Sequence, residues 1–223
     1  MKIRTIKFGL LTVMFASLLV NVGTAQKAYR RIDDLDPCPG GAASANIHSR
    51  PVRSLNQLVR MSELIVVGTV ADVLPAFSAD PDRPIFIETH SVVAVEELLY
   101  GALPSGSTTI LLAQMGGQAG PCKVVVSANP LVQKGEQYVL FLRADKRKRV
   151  PETSSLPLYQ IPGIWSGKAK VENGKIQFLP RASPGLHEYD NMDATAFIAA
   201  VEDTIKFYCR HRDLSFPCLL PGK

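Results

Sequence analysis

Between Leu64 and Phe178 the chain repeats one pattern: a run of β-branched and aromatic residues, a stop at Gly, Pro, Asn or Asp, then another run. The runs are LIVVGTVADVL from Leu64, the stretch from Ile85 to Tyr100, Thr108 to Ala113, Lys123 to Ser127 and EQYVLFLR from Glu136. Two shorter arms then flank Asn173-Gly174, and Asn-Gly between β-prone arms is the strongest short-range hairpin signal a sequence carries. Parallel strands must be joined by crossovers of about a dozen residues or more, usually helical, and no gap here reads as a helix. The pattern therefore predicts a small, mainly antiparallel barrel or sandwich and argues against a parallel α/β sheet.

Gly68 inside the first run marks a bulge or tight bend, which makes that strand central and strongly curved. Pro75 to Pro84 is a loop, and MGGQAGPC is a glycine-rich turn ending at Cys122. Tyr159 to Trp165 reads as irregular, with Pro162 keeping it off a central position in the sheet. Helical spacing occurs twice. Leu55, Leu58 and Val59 follow a capping Ser54, and residues 191–208 place Met192, Phe197, Ile198, Val201, Ile205 and Tyr208 on one face. Asp190 or Asn191 is the expected cap of this second, amphipathic helix, which packs on the sheet and ends at Cys209.

The first 25 residues have a basic head (Lys2, Arg4, Lys7), a 13-residue apolar run and a small-residue end, the anatomy of a secretory signal cut between Ala25 and Gln26. The apolar run is shorter than the roughly 20 residues of a membrane-spanning helix. No later stretch is long enough to span a membrane after cleavage, and the expected location is periplasmic or secreted. Cleavage removes three of the 25 basic residues and none of the 20 acidic ones, so the formal charge falls from +5 to +2. That surplus is too small to indicate nucleic-acid binding, and no nucleic-acid partner is expected. The mature chain divides into an extended leader (26–53), a barrel domain with its helices (54–209) and a tail (210–223).

Cys38, Cys122, Cys209 and Cys218 all lie in the mature part, and an even number of cysteines in an exported chain predicts two disulfides. Three pairings exist. The local loop between Cys209 and Cys218 is the simplest, leaves Cys38 with Cys122, and closes the tail. No C-x-x-C spacing or helical histidine pair accompanies them, so neither a metal nor a cofactor is expected.

Candidate chemistry is sparse. Met115 to Gly120 lacks the Lys-Ser/Thr and the following helix of a phosphate loop, and reads as a tight strand connection. His211-Arg212-Asp213 repeats three letters of a kinase loop without the rest of that signature. Ser166 stands outside any G-x-S-x-G elbow and reads as a turn residue. Glu96 and Glu97, adjacent on a strand, point to opposite faces and cannot work as a pair. Asp72 and Glu88 lie on different strands and could meet on one face. The largest charge feature is Lys146-Arg147-Lys148-Arg149 with Arg143 before it, a candidate patch for an envelope protein or an anionic polymer whose plainer reading is a solvated loop.

Three segments, LNQLVRMSELIVVGTVADV, VVAVEELLYGALPSG and KGEQYVLFLR, resemble a family of exported bacterial domains of unknown function. The likeness covers roughly Ser54 to Arg143, and its motifs are hydrophobic and turn-forming. More distantly the chain is similar to the netrin and tissue metalloproteinase-inhibitor module. That resemblance implies an OB-like barrel with a disulfide tying the leader to it, on which the short N-terminal helix and the C-terminal amphipathic helix read from their spacing are packed. The module's inhibitors present Cys-x-Cys to a protease zinc, whereas Pro37-Cys38-Pro39 offers one cysteine. The expectation is a non-enzymatic binding module, with an envelope hydrolase or a metalloprotease-inhibitor-like protein as alternatives.

Overall fold

Five of the β-prone runs do form strands. They are β2 (Leu64–Val73), β4 (Ile87–Tyr100), β5 (Thr109–Met115), β7 (Cys122–Val125) and β8 (Gln137–Ala144). The remaining strands are β1 (Ala42–Ser44), β3 (Phe77–Ser78), β6 (Gly117–Ala119), β9 (Leu158–Gln160), β10 (Lys168–Glu172) and β11 (Lys175–Phe178). Helices α1 (Leu55–Arg60), α2 (Pro184–His187) and α3 (Ala194–Arg210) complete the elements. The structure, a computed structural model, describes residues 52–79, 86–104, 106–127, 129–146, 155–163, 166–180, 182–211 and 218, and the backbone of 42–44. All of these belong to one unit, Leu35–Lys223. The segment read as an export signal and Cys38 lie outside the described residues, as do Arg147, Lys148 and Arg149.

Strands β8, β2, β4, β5 and β9 pair in that order, and β9 pairs again with β8, closing a five-stranded OB-like barrel. The barrel is mainly antiparallel, and one parallel pair, β5–β9, completes it. Strand β9 corrects the expectation for residues 159–165: Leu158, Tyr159 and Gln160 stand between two barrel strands. Pro162 follows the paired residues, so its missing N–H removes nothing from the ladder.

Strands β2 and β8 read as continuous apolar runs because both of their faces are buried. Leu64, Val66 and Val70 join Tyr138, Leu140 and Leu142 in the barrel interior, while Ile65, Val67, Val139 and Phe141 face a second core against the helices. Curvature comes from irregular pairing of β2 with β4 at three places. At one of them Glu96 is the extra residue opposite Val67 and Gly68, so Glu96 and Glu97 are both exposed and do not alternate across the strand. A Cβ on Gly68 would stand 2.7 Å from Ala94 O and 2.8 Å from Val93 Cγ1, which is why this central strand carries glycine there.

Helix α1 begins where Ser54 accepts the amide of Gln57. Helix α3 is capped by Asp193, two to three residues after the expected cap, and Asp193 Oδ1 accepts the amides of Thr195 and Ala196 at 2.9 and 3.3 Å. Asn191 instead takes positive φ in the preceding turn. Phe197, Val201 and Ile205 are buried, and Phe197 meets Phe178 and Tyr189 edge-on with ring centroids 5.8 and 5.4 Å apart. Burial of each such side chain contributes roughly 1.5–3 kcal/mol, so packing holds the helix in place. A disulfide joins Cys209, at the last turn of α3, to Cys218.

Outside the barrel, β1, β7 and β6 form a small sheet in which Ala42–Ser44 run parallel to Lys123–Val125. The MGGQAGPC turn is thus a hairpin, β6–β7, and the fourth predicted run, β7, leaves the barrel altogether.

Candidate functional site

Strand β5 ends at Met115, and Gly116 and Gly117, both at positive φ, turn the chain out of the barrel into the β6–β7 hairpin. A strap of residues 129–134 then returns to β8 across the same end of the barrel, where β2 finishes at Val73. Hairpin and strap enclose a groove of about 620 Å³, within the usual range for small-molecule sites. Its described lining is mostly apolar, including Met115, Val125, Leu131 and Val132, and its only charged side chains are Lys123 and Lys134. Val125 is 45% exposed at this groove, an unusual position for a β-branched residue.

Asn129, also in the lining, is 5% exposed, and its Oδ1 has no hydrogen-bond partner. A buried acceptor without a donor carries a desolvation cost of about 1–3 kcal/mol, which a ligand donor would relieve.

The strap is held down by buried side chains. Gln114, pointing inward from β5, donates through Nε2 to Pro130 O at 3.3 Å and accepts the Val132 amide at 3.0 Å. Lys168 on β10 is 2% exposed and donates through Nζ to the same Pro130 carbonyl. Burial pulls the Lys168 ammonium down to about 7, against a weaker opposing pull from Glu136.

Glu136, at the strap's end, accepts the Tyr138 hydroxyl at 2.6 Å and the Gln133 amide at 2.7 Å, and pairs with Lys170 at 3.1 Å. Burial raises its carboxyl, but these three partners together hold it below the usual carboxylate range. Burial and the hydrogen bond to Glu136 raise the Tyr138 phenol.

On the outer face of the barrel, His90 Nε2 lies 2.7 Å from Glu88 Oε1, and the Phe77 ring stands edge-on to His90 at 4.9 Å. Farther along that face Leu111, Ala113 and Leu158 are buried beneath Leu74 and Leu156. Oligonucleotides and oligosaccharides dock on this face in many OB barrels. Here the chain's own loops cover it.

The residues singled out in the sequence do not gather into one site. Asp72 pairs with Lys134 at 3.3 Å and Glu88 with His90, so the two carboxylates serve separate partners. Arg143 is half exposed, with Nε 3.9 Å from Glu63 Oε1, and Lys146 is exposed; the rest of the basic run lies outside the described residues. Ser166 is fully buried at the bend before β10 and its hydroxyl has no partner. His211 ends α3, with Nδ1 2.8 Å from Phe207 O. Cys122 is buried on β7, and its pairing with Cys38 lies outside the described residues. Among the described residues, no three of His, Cys, Asp and Glu gather closely enough to hold a metal ion.

Sequence reasoning missed Gln114, Asn129 and Lys168. Asn129-Pro130 is a turn signal after a strand, and the alternation in KAKVE sets Lys168 on one face with Lys170, opposite Ala169. Neither signal says that the three residues meet. No family model matches the chain, and no curated protein matches it.

Proposed function

We propose that this chain is an exported, non-enzymatic binding module that takes its ligand in the groove between the β6–β7 hairpin and the strap. One observation carries the reading: the groove combines a mostly apolar lining with the unpartnered Oδ1 of Asn129, and its described lining holds no acid or histidine that could serve as a general acid or base. The strongly perturbed groups beside it, Lys168 and Tyr138, are engaged with Pro130 and Glu136 in holding the strap. The Glu88–His90 pair favours a hydrolase as second reading, since an acid and an imidazole in contact are parts of many such sites. Both side chains are nevertheless buried, with Phe77 packed on the ring.

The test is a photo-cross-linking amino acid placed at Val125, beside the groove, and separately at Phe207, an exposed residue on α3, in protein expressed in its own envelope. Adducts from Val125 that are missing from Phe207 support the groove as the binding site. Equal capture from both positions, or none from Val125, overturns it.

A further inference from the structure

Three properties of the groove bear on what it holds. Among the described residues its only charged lining side chains are cationic, and they differ in availability: Lys134 Nζ lies 3.3 Å from Asp72 Oδ1, whereas Lys123 makes no ion pair with any described residue. The strap presents half-buried Leu131 and the hairpin presents exposed Val125, so the surface between the cations and the barrel is aliphatic. Asn129 Oδ1, buried among these groups, lacks a donor. A ligand satisfying all three needs a negative head, a hydroxyl and an aliphatic body. A neutral apolar molecule would leave Lys123 and Asn129 unanswered, and a free polar anion would leave the aliphatic lining wet.

We propose that the groove binds a monoacyl glycerophospholipid: its phosphate lies against Lys123, a glycerol hydroxyl donates to Asn129 Oδ1, and its single acyl chain runs along Val125, Leu131 and Met115. The proposal rests on the groove being the binding site. It goes further in naming the ligand's chemistry, which charge complementarity and the orphan acceptor select together. The groove volume of about 620 Å³ suits one chain with its head.

The test uses the mature protein and three probes below their aggregation concentrations: palmitoyl lysophosphatidylglycerol, monopalmitoylglycerol and glycerol 3-phosphate, each titrated calorimetrically. The lysophospholipid should bind at least about tenfold more tightly than either of the others, a difference of about 1.4 kcal/mol. Lys123→Glu, at an exposed position where folding is not at risk, should weaken the lysophospholipid about tenfold and leave monopalmitoylglycerol unchanged. Asn129→Leu should weaken both hydroxyl-bearing lipids.

Equal affinity for the neutral and acidic lipids, or no effect of Lys123→Glu, overturns the proposal. If none of the probes binds while Val125 still captures a partner in the envelope, the ligand class is wrong and the binding-module reading stands. If capture fails as well, both fall.

Discussion

Lys168 and Gln114, from strands that are not neighbours in the barrel sheet, donate to the same carbonyl, that of Pro130. One peptide group thus fastens the strap to β5 and to β10 together. The two donors differ in energy, because the lysine brings a charge into a site that excludes water.

That charge gives the fold a pH dependence. Below pH 7 Lys168 is protonated in both the folded and the unfolded chain, and the folded state carries the full cost of burying it. From about 7 to 10.5 the unfolded chain holds a proton that the folded chain has released, so stability rises with pH across this window and levels off above it. Lys168→Met should remove that rise and be neutral to stabilising at pH 6, on the order of a few kcal/mol. Urea titrations of both proteins at pH 6, 8 and 10 decide the matter. Parallel stability curves would show that Lys168 is not titrating where its burial places it.

Gln114→Leu keeps the volume of the side chain and removes both of its hydrogen bonds, leaving the Val132 amide without its acceptor. We expect a loss of about 2 kcal/mol and a faster amide exchange at Val132 than at barrel residues such as Val66. Unchanged exchange at Val132 would mean that the strap is held by packing alone.

Gly68→Ala puts a methyl group within 2.8 Å of Val93 Cγ1 and closer still to Ala94 O. The irregular pairing beside it can absorb part of the displacement, so a destabilisation of about 1–3 kcal/mol is expected. A variant as stable as the parent would show that β4 moves aside freely at Glu96.

For the cysteines, intact mass of the exported protein under non-reducing conditions should begin at Gln26 and fall four hydrogens below the fully reduced chain. Alkylation of all four thiols without reduction would overturn the two-disulfide reading. Replacing Cys209 and Cys218 together by serine should cost about 2–3 kcal/mol, by the entropy of the short loop they close, and fray the last turn of α3. Helical content measured against temperature reports this.

The sequence shows the fold where burial is local and two-sided. Strands β2 and β8 announce themselves because every side chain from Leu64 to Val67 and from Tyr138 to Leu142 finds an apolar neighbour, and Asn173-Gly174 marks its hairpin through backbone conformation alone. Strand β9 is too short for any period to show in three residues, and its place in the barrel depends on two partner strands that both lie more than ten residues before it in the chain. The site is less legible still. Gln114, Asn129, Pro130 and Lys168 span 55 residues of chain and meet only because the sheet places β10 beside β8 and turns the strap back over β5. Each is unremarkable in its own segment; only the assembled barrel makes an unpartnered acceptor and a buried ammonium out of them.

The short seam at β9 also orders the events of folding. The β10–β11 hairpin joins residues separated by a two-residue turn and can form within microseconds, whereas Leu158 to Gln160 must find Leu111 to Ala113 across an intervening chain that includes the β6–β7 hairpin, the strap and β8. Arg143–Gln160, Ala144–Tyr159 and the Asp145 amide on the Leu158 carbonyl join β9 to β8, the shortest strand pairing in the barrel, and this closure should be the last to form and the first to open. Transient openings of the folded chain should therefore begin there, unzipping the antiparallel β8–β9 pair and wetting the inside of the barrel from one side while α3 and its disulfide stay docked.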